Sequence, residues 1–298
     1  MGDMSDMFLT VFTPTYNRAG LLRRLYESLV RQTSSDFEWL VVDDGSTDDT
    51  EMIIRQIIDE QKISIQYVKR ANGGKHAAHN TALDYAKGEW FFCVDSDDFL
   101  PEDAIQSIKA TADQIVEGDC AIVGYKADLN GTPLCPALKM GQAHKTFSAY
   151  PEIKQGGEFS FVLRTDILRE NRFPVPHGEK FVTESVLYDK LDLLGYTAIV
   201  TNQILTLCEY QPNGLSASLY ATLLKNPTGF LIFHMQRIDL ASSFKERVGH
   251  CIRYHSFKRL VRTREYAYHG KHALLVLLLT PTGLLGAWYY KLRYQNAG

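Results

Sequence analysis

Along the first 130 positions, apolar runs stop abruptly at acids, proline or glycine, and amphipathic stretches fill the intervals between them. Phe8 to Thr13 is one such run, ended by Pro14. Phe37 to Val42 is the next, ended by Asp43-Asp44-Gly45-Ser46. Ile63 to Val68 is followed by Asn72-Gly73-Gly74-Lys75-His76. Glu89 to Val94 runs straight into Asp95-Ser96-Asp97-Asp98. Short β-rich runs bounded by turn residues predict strands, and Ala121 to Ala127 is a fifth. Between them, Leu21, Leu22, Leu25, Leu29 and Val30 fall on one face of a helix from Ala19 to Gln32. Met52, Ile53, Ile57 and Ile58 do the same up to Gln61. Asn17 is expected to cap the first of these helices, and Ser46 or Thr47 the second. A third helix should run to about Ala86, and Pro101 should open the next, at a position proline tolerates.

Strands alternating with helices imply right-handed βαβ units and an α/β fold with a mostly parallel sheet. The carboxyl ends of parallel strands share one edge, and ligands of open α/β sheets bind outside that edge. Asn130 to Gly157 is poor in apolar pattern and holds Pro133, Pro136 and Pro151, which suits a long surface excursion over the site. Further on, Glu158 to Leu163, Tyr196 to Val200 and Ile204 to Leu207 suggest strands. Phe181 to Leu194, Leu215 to Leu240 and Phe244 to Tyr268 suggest helices.

The chain has 298 residues, 45% hydrophobic and 22% charged, enough for a full α/β domain with an appendage. A formal net charge of −3 names no partner. Its distribution says more: Lys245 to Arg293 carries ten basic residues and only Glu246 and Glu265 as acids. Five scattered cysteines without a CxxC pair argue against a disulfide framework or zinc site and suit a reducing compartment. Met1 to Met7 carries Asp3 and Asp6 and no basic region, unlike a secretory leader.

Carboxylates crowded at a strand end repel one another, and a bound cation relieves that repulsion. Hard oxygen ligands suit Mg²⁺ or Mn²⁺, which usually complete their shells with substrate phosphates and water. Each strand-end signal has a bland reading: Asp43-Asp44-Gly-Ser as a turn with a helix cap, Asn-Gly-Gly as a turn, Tyr16 as a packing residue. All four arriving in order is harder to dismiss. Together, Pro14-Thr15-Tyr16-Asn17-Arg18, Val42-Asp43-Asp44-Gly45-Ser46-Thr47-Asp48, Asn72-Gly73-Gly74-Lys75 with Asn80, and Asp95-Ser96-Asp97-Asp98 resemble the family 2 glycosyltransferases of the GT-A fold.

The resemblance implies a nucleotide-sugar donor, a divalent metal and transfer with inversion. By that resemblance Pro14 and Tyr16 flank the nucleobase, an aromatic face being a good stacking surface. Asp44 accepts a hydrogen bond from the uracil imide, with Asp43 as the near alternative. Asp95 holds ribose or sugar hydroxyls, and Asp97 ligates the metal. Lys75, beside free N–H groups at a helix start, suits the diphosphate. The general base of the family comes from the second half. Glu184 in Thr183-Glu184-Ser185 fits that place, although Ser185 stands where the family usually has Asp; Glu179 and Asp189 are alternatives. His177 reads as a loop histidine. The implied organisation is a catalytic domain over 1–212, divided at 128 into nucleotide-sugar and acceptor halves, and a helical basic region over 213–298.

After Lys271 and His272 comes an uncharged run, Ala273 to Tyr290, broken by Pro281, Gly283 and Gly286. A span needs about 20 apolar residues. The run with its flanking Trp288, Tyr289, Tyr290, Lys291 and Arg293 instead suits an element lying on an anionic cytoplasmic leaflet. A span, a soluble helical cap and an oligomer contact are the other readings. Many family relatives extend lipid-linked saccharides of surface glycans, so the resemblance implies a lipid-linked acceptor, and the basic C-terminal element suits a peripheral place on the inner face of the cell membrane. No nucleic-acid motif accompanies the basic stretch. Three rival classes compete. A haloacid-type phosphatase shares Asp95-Ser96-Asp97, but on a first strand and without Phe99. A nucleotidyltransferase wants a basic Gly-rich loop near the first strand. A degenerate, non-catalytic sugar-binding scaffold would need neither Asp97 nor Glu184.

Overall fold

The computed structural model describes residues 7–138, 144–154, 157–209, 219–261 and 265–294. Parts of the expected excursion (139–143 and 155–156), the boundary at 212, the helix start expected over 215–218 and the basic positions Arg262 and Arg264 lie outside them. The chain divides into two compact units. Met1–Arg172 and Gly195–Gln211 form the first, Phe173–Leu194 and Pro212–Gly298 the second.

The first unit is built on strands β1 (Leu9–Thr15), β2 (Phe37–Asp43), β3 (Ile65–Lys69), β4 (Trp90–Cys93), β5 (Asp98–Phe99), β6 (Asp119–Ala127), β7 (Phe159–Arg164) and β8 (Thr197–Cys208). Its helices are α1 (Ala19–Val30), α2 (Thr50–Asp59), α3 (Lys75–Tyr85), α4 (Ala104–Ala112), α5 (Pro151–Lys154) and α6 (Thr165–Glu170). The strands make one sheet in the order β3-β2-β1-β4-β7-β6-β8-β5. β1 to β4 pair in parallel, as does β6 with β8, while β7 and β5 run antiparallel to their neighbours. The sheet is therefore mixed, with the expected parallel part forming one half of it.

Near-continuous apolar strands are what two-sided burial requires. Leu9 and Val11 of β1, Trp39 and Val41 of β2, and Trp90 and Phe92 of β4 share a core with Leu22, Leu25 and Leu29 of α1, Ile54 and Ile57 of α2, and Ile105 and Ile108 of α4. The alternate positions face α3, where the His79 ring meets Phe12 and Phe91. Helices thus cover both faces, and the polar strand ends are left at the edge.

Several local expectations are corrected. β1 continues through Pro14, because the side on which proline lacks its N–H faces β4, and β4 has already ended. Asn17 does not cap α1. Its φ is +52°, a left-handed conformation asparagine tolerates, and its side chain accepts the Thr47 N–H at 2.8 Å while its own N–H donates to Ser46 Oγ at 2.9 Å. It ties the loops after β1 and β2 together. Asp48, not Ser46 or Thr47, accepts at the start of α2, from the Thr50 N–H at 3.1 Å. The two runs Tyr196–Val200 and Ile204–Leu207 are one strand, β8, with an irregular register against β6 around Gly124. A Cβ at Gly124 would lie 2.6 Å from Leu205, so glycine lets Leu205 seat there. The excursion after β6 is pinned to the sheet. Tyr125 Oη accepts the Leu138 N–H at 2.6 Å, and Tyr150 Oη donates to the Ala198 carbonyl at 2.8 Å.

The second unit holds α7 (Ser185–Leu193), α8 (Leu219–Lys225), α9 (Pro227–Leu240), α10 (Phe244–Lys258), α11 (Ala273–Leu278) and α12 (Thr282–Tyr294). One helix was expected over 215–240. Asn226-Pro227 breaks it, because Pro227 has no N–H to give the preceding turn. Glu179 caps the new start, accepting the Thr228 N–H at 2.9 Å and the Gly229 N–H at 3.1 Å. α10 ends at Lys258, short of the expected Tyr268, and opens with Ser243 Oγ accepting the Glu246 N–H at 3.2 Å. Residues 185–193, expected in the acceptor half, pack as α7 on α9. Leu231, Ile238, Cys251, Tyr254, Phe257 and Val276 form this unit's core. No helix among the described residues is long and apolar enough to cross a membrane.

One buried charge tests the strand pairing directly. Glu38 in β2 is fully buried and accepts from Thr10 Oγ1 at 2.7 Å, the Lys87 N–H at 2.7 Å and Gln66 Nε2 at 2.5 Å. Glu38→Ala removes the buried acceptor these three donors share, leaving the Lys87 N–H only Thr10 Oγ1 at 3.2 Å and Gln66 Nε2 only the Tyr85 carbonyl at 3.3 Å, and should destabilise the protein by about 2–4 kcal/mol. Urea unfolding checks this; a loss under about 0.5 kcal/mol would show that the network contributes little.

Candidate active site

The parallel order β3-β2-β1-β4 brings the carboxyl ends of four strands to one edge. Two glycines shape the loops there. Gly45 has φ +87° and Gly74 φ +90°, both in the region where a Cβ is costly. Before the Gly45 turn, at the end of β2, Asp43 is fully buried and structural: its carboxylate accepts the Ser46 N–H at 2.7 Å and the Tyr67 hydroxyl at 2.7 Å. Burial, reinforced by Asp43, pushes the Tyr67 phenol well above its ordinary value.

Asp44 reaches sideways to the next loop. It accepts the Gly73 N–H at 3.0 Å, the Gly74 N–H at 2.6 Å and Arg70 Nη1 at 2.6 Å. The expectation of free N–H groups beside Lys75 is therefore corrected for Gly73 and Gly74: both are already satisfied by Asp44. The edge of the loop instead offers the Asp44–Arg70 pair. Tyr16, half exposed at 48%, follows Pro14 and Thr15 on the β1 end.

The acids after β4 each meet a different cation. Asp95 Oδ1 lies 2.6 Å from Lys75 Nζ, Asp97 Oδ2 lies 3.3 Å from Arg18 Nη1, and Asp98 Oδ2 lies 2.8 Å from Lys126 Nζ. The pairs differ in depth. The Asp97 and Asp95 side chains keep 27% and 36% of their exposure, whereas Asp98 keeps 9%. Burial pushes the Asp95 carboxyl up, but Lys75, Lys126 and Arg18 together hold it below the ordinary range. For Asp98 burial wins, aided by repulsion from Asp95 against the pull of Lys126, and its carboxyl is raised. Burial opposes the charge on Lys126, yet Asp95 and Asp98 outweigh it and raise the ammonium pKa.

Among the described residues, no group of three or more His, Cys, Asp or Glu side chains could cage an ion. What the edge does hold is Asp95 and Asp97, two hard carboxylates with solvent access. That set fits a Mg²⁺ or Mn²⁺ ion that shares its shell with substrate phosphates, and does not fit a zinc site.

Sequence reasoning missed Arg70 and Lys126. Lys126 had a signal: a lone cation inside the apolar run Ala121 to Ala127. In the second unit, Glu179 is committed to capping α9. Asp189 is buried against Arg237 Nε at 2.6 Å, and burial, only partly offset by Arg237, pushes its carboxyl up to about 6. Glu184, the third carboxylate considered for the base, is partly exposed at the residue preceding α7.

Residues 10–171 match the family described as Glycosyl transferase family 2, and the chain belongs to that family. Among individual proteins it is similar to a glycosyltransferase of Streptococcus pneumoniae, GlyA, with 34% identity over 42% of this chain and 16% of that protein. It is similar to the poly(ribitol-phosphate) β-N-acetylglucosaminyltransferase TarS of Staphylococcus aureus, with 33% identity over 58% of this chain and 30% of the other. A GalNAc(5)-diNAcBac-PP-undecaprenol β-1,3-glucosyltransferase of Campylobacter jejuni is 28% identical over 61% of this chain and 59% of that one. The chain thus spans only part of the length of the relatives it matches. In three dimensions it resembles S. aureus TarS 1–349 in complex with UDP, with a TM-score of 0.62 and 19% identity over 98% of this chain and 92% of that one. That likeness is one of fold.

Two tests follow from the electrostatics. Lys126→Met leaves Asp98 buried beside Asp95 without its cation and should cost about 3–5 kcal/mol in urea unfolding. Adding Asp98→Asn should recover much of that loss, since the stranded charge is its source; an additive double variant would deny the coupling. The second concerns His76, which is buried on α3 with neither ring nitrogen hydrogen-bonded among the described residues. Burial first, then Arg70, lowers its pKa to about 4. The native state therefore keeps it neutral while the unfolded chain protonates below about pH 6.5. Its contribution is full above that pH and fades as pH falls towards 4, by up to about 3 kcal/mol. His76→Leu should flatten stability over this window; an unchanged slope would place the linkage elsewhere.

Proposed function

We propose that the chain is an inverting, metal-dependent glycosyltransferase. It moves a sugar from a UDP-sugar to a hydroxyl of a saccharide acceptor carried on a lipid, at the inner face of the cell membrane, in the synthesis of a cell-surface polysaccharide. The observation that carries the reading is the row of Asp95, Asp97 and Asp98 on the sheet edge, each matched by a separate cation, beside an exposed Tyr16. Such an edge balances the charge of its own acids and can exchange partners with a diphosphate. The name of the Campylobacter relative, which includes an undecaprenol-linked saccharide, supports the lipid-linked acceptor.

In this reading Pro14 and Tyr16 bound the uracil ring. The Asp44–Arg70 pair sets a carboxylate acceptor beside guanidinium donors, a match for a base edge that carries an N–H next to a carbonyl; the buried Asp43 holds the loop that presents it. Asp95 accepts from ribose or sugar hydroxyls. Asp97, with Asp95 near it in sequence, would hold a Mg²⁺ or Mn²⁺ ion, which when bound supplies Lewis-acid stabilisation of the diphosphate leaving group. Lys75 and Arg18 turn from their carboxylates to the diphosphate oxygens, adding fixed positive charge where negative charge develops. Glu184 takes the proton from the acceptor hydroxyl as its oxygen bonds to the anomeric carbon. The bond to the diphosphate oxygen breaks on the opposite face, and a single displacement of this kind inverts the centre.

A panel of nucleotide sugars, scored for binding by calorimetry and for product with and without divalent ion, tests the donor. A UDP-sugar should bind, and chelation should abolish turnover. Asp97→Asn should lower turnover by about 10²–10³-fold. Glu184→Gln should lower kcat by about 10²–10⁴-fold with donor affinity unchanged. Turnover unchanged in both variants would remove Asp97 and Glu184 from these roles, no turnover with any donor would leave a non-catalytic scaffold as the better reading, and tight binding of only a non-uridine donor would remove Asp44 and Arg70 from the base site.

A further inference from the structure

The second unit contains a helix pair that packs with its apolar side outward. On α11, Leu274, Leu277 and Leu278 are 68–70% exposed; on α12, Leu284, Leu285 and Trp288 are 59–74% exposed. The spacings i, i+3, i+4 on α11 and i, i+1, i+4 on α12 make each set a stripe along its helix. An apolar stripe of this kind normally turns towards a core. Here the opposite sides of both helices are fixed against the same turn of α10. His255 Nε2 lies 2.6 Å from the Val276 carbonyl. A Cβ on Gly283 would stand 2.8 Å from His255, and one on Gly286 would stand 1.9 Å from Ser256 Oγ. Tyr290 packs its ring on Phe257, with centroids 5.1 Å apart. Glycine at 283 and 286 lets α12 lie flat on α10, and that seating turns the leucines out. Six large apolar side chains left exposed on two successive helices mark an interaction face.

The charge around the stripes selects the partner. Lys271 sits three residues before Leu274, and Lys291 three residues after Trp288, so each stripe is flanked by an exposed cation. From residue 266 to 298 the chain has no acid at all. Leucines flanked by lysine, with Trp288 and Tyr289 beside Lys291, match the boundary between acyl chains and anionic headgroups. The element does not cross: α11 has six residues, α12 has thirteen, and Pro281 lies between them.

We propose that α11 and α12 insert side by side into one leaflet of an anionic bilayer, parallel to its plane, and hold the protein on that surface. The proposal gives a physical device to the membrane location suggested above, and it stands on unit-two geometry alone, so it survives a wrong donor or acceptor assignment.

Tryptophan emission gives the test a local probe. Trp39 and Trp90 are 0% and 2% exposed, whereas Trp288 is 63% exposed, so an environment change on binding reports Trp288. The full chain should co-sediment with phosphatidylcholine vesicles containing phosphatidylglycerol, far less with pure phosphatidylcholine, and with a blue shift in emission. Trp288→Phe should bind yet lose the shift. Leu284→Glu with Leu285→Glu, both at exposed positions, should weaken vesicle binding at least tenfold while thermal midpoint and binding of a soluble nucleotide sugar stay as they were. No vesicle binding, equal binding to both vesicle types, or a stable dimer in solution that the Leu284 and Leu285 variants dissociate would overturn the proposal. Vesicle binding without any nucleotide-sugar binding would uphold it and count against the enzymatic reading instead.

Discussion

Charge neutralisation at the parallel sheet edge is the constraint around which the first unit is arranged. Four parallel strands ending together deliver Asp43, Asp44, Asp95, Asp97 and Asp98 to one region, and ionised carboxylates so placed repel. Each is answered differently. Asp43 takes hydrogens from Ser46 and Tyr67 inside the protein. Asp44 is met by Arg70 and two backbone N–H groups. Asp98 is held by Lys126, and the more exposed Asp95 and Asp97 are held by Lys75 and Arg18. The gradient from buried to accessible matters. The deep pairs fix geometry because breaking one strands a charge in low dielectric. The shallow pairs exchange partners at low cost because water screens them.

The same bonds explain why the loops keep their shape. Asp44 satisfies the backbone in front of α3, so the Gly73–Gly74 turn that leads into that helix is set by a side chain from the loop after β2. Asn17, in a left-handed conformation, joins the β1 loop to the β2 loop. Three loops distant in sequence are therefore held to one another before any ligand arrives, which lowers the ordering cost of binding.

The second unit shows the converse use of packing. Its core around Phe257 and Tyr254 is ordinary, but the helices laid over α10 are seated by glycines on their inner side and carry leucines on the outer one. Hydrophobic burial within the chain is left incomplete there. A surface of that kind is stable in water only at a cost, which insertion into a leaflet, as proposed above, would remove.

Much of the fold was legible in the sequence because strand and helix patterns are written within a few residues. Apolar runs stopping at Asp43 or Asp95 mark buried strands whose ends reach the edge, and their order fixes a βαβ class. The acids and Tyr16 could be read for the same reason. Partnerships could not. Arg18 and Asp97 are 79 positions apart, and Lys126 and Asp98 are 28 apart, joined only because the sheet places β4, β6 and β8 as it does. Nor could the sequence say that Asp44 occupies the Gly73 and Gly74 N–H groups, that Glu179 and Asp189 have structural duties, or which way the leucines of α11 and α12 face. A hydrophobic period locates a stripe on a helix. Only the contacts on the helix's other side decide whether that stripe meets a core or the surroundings.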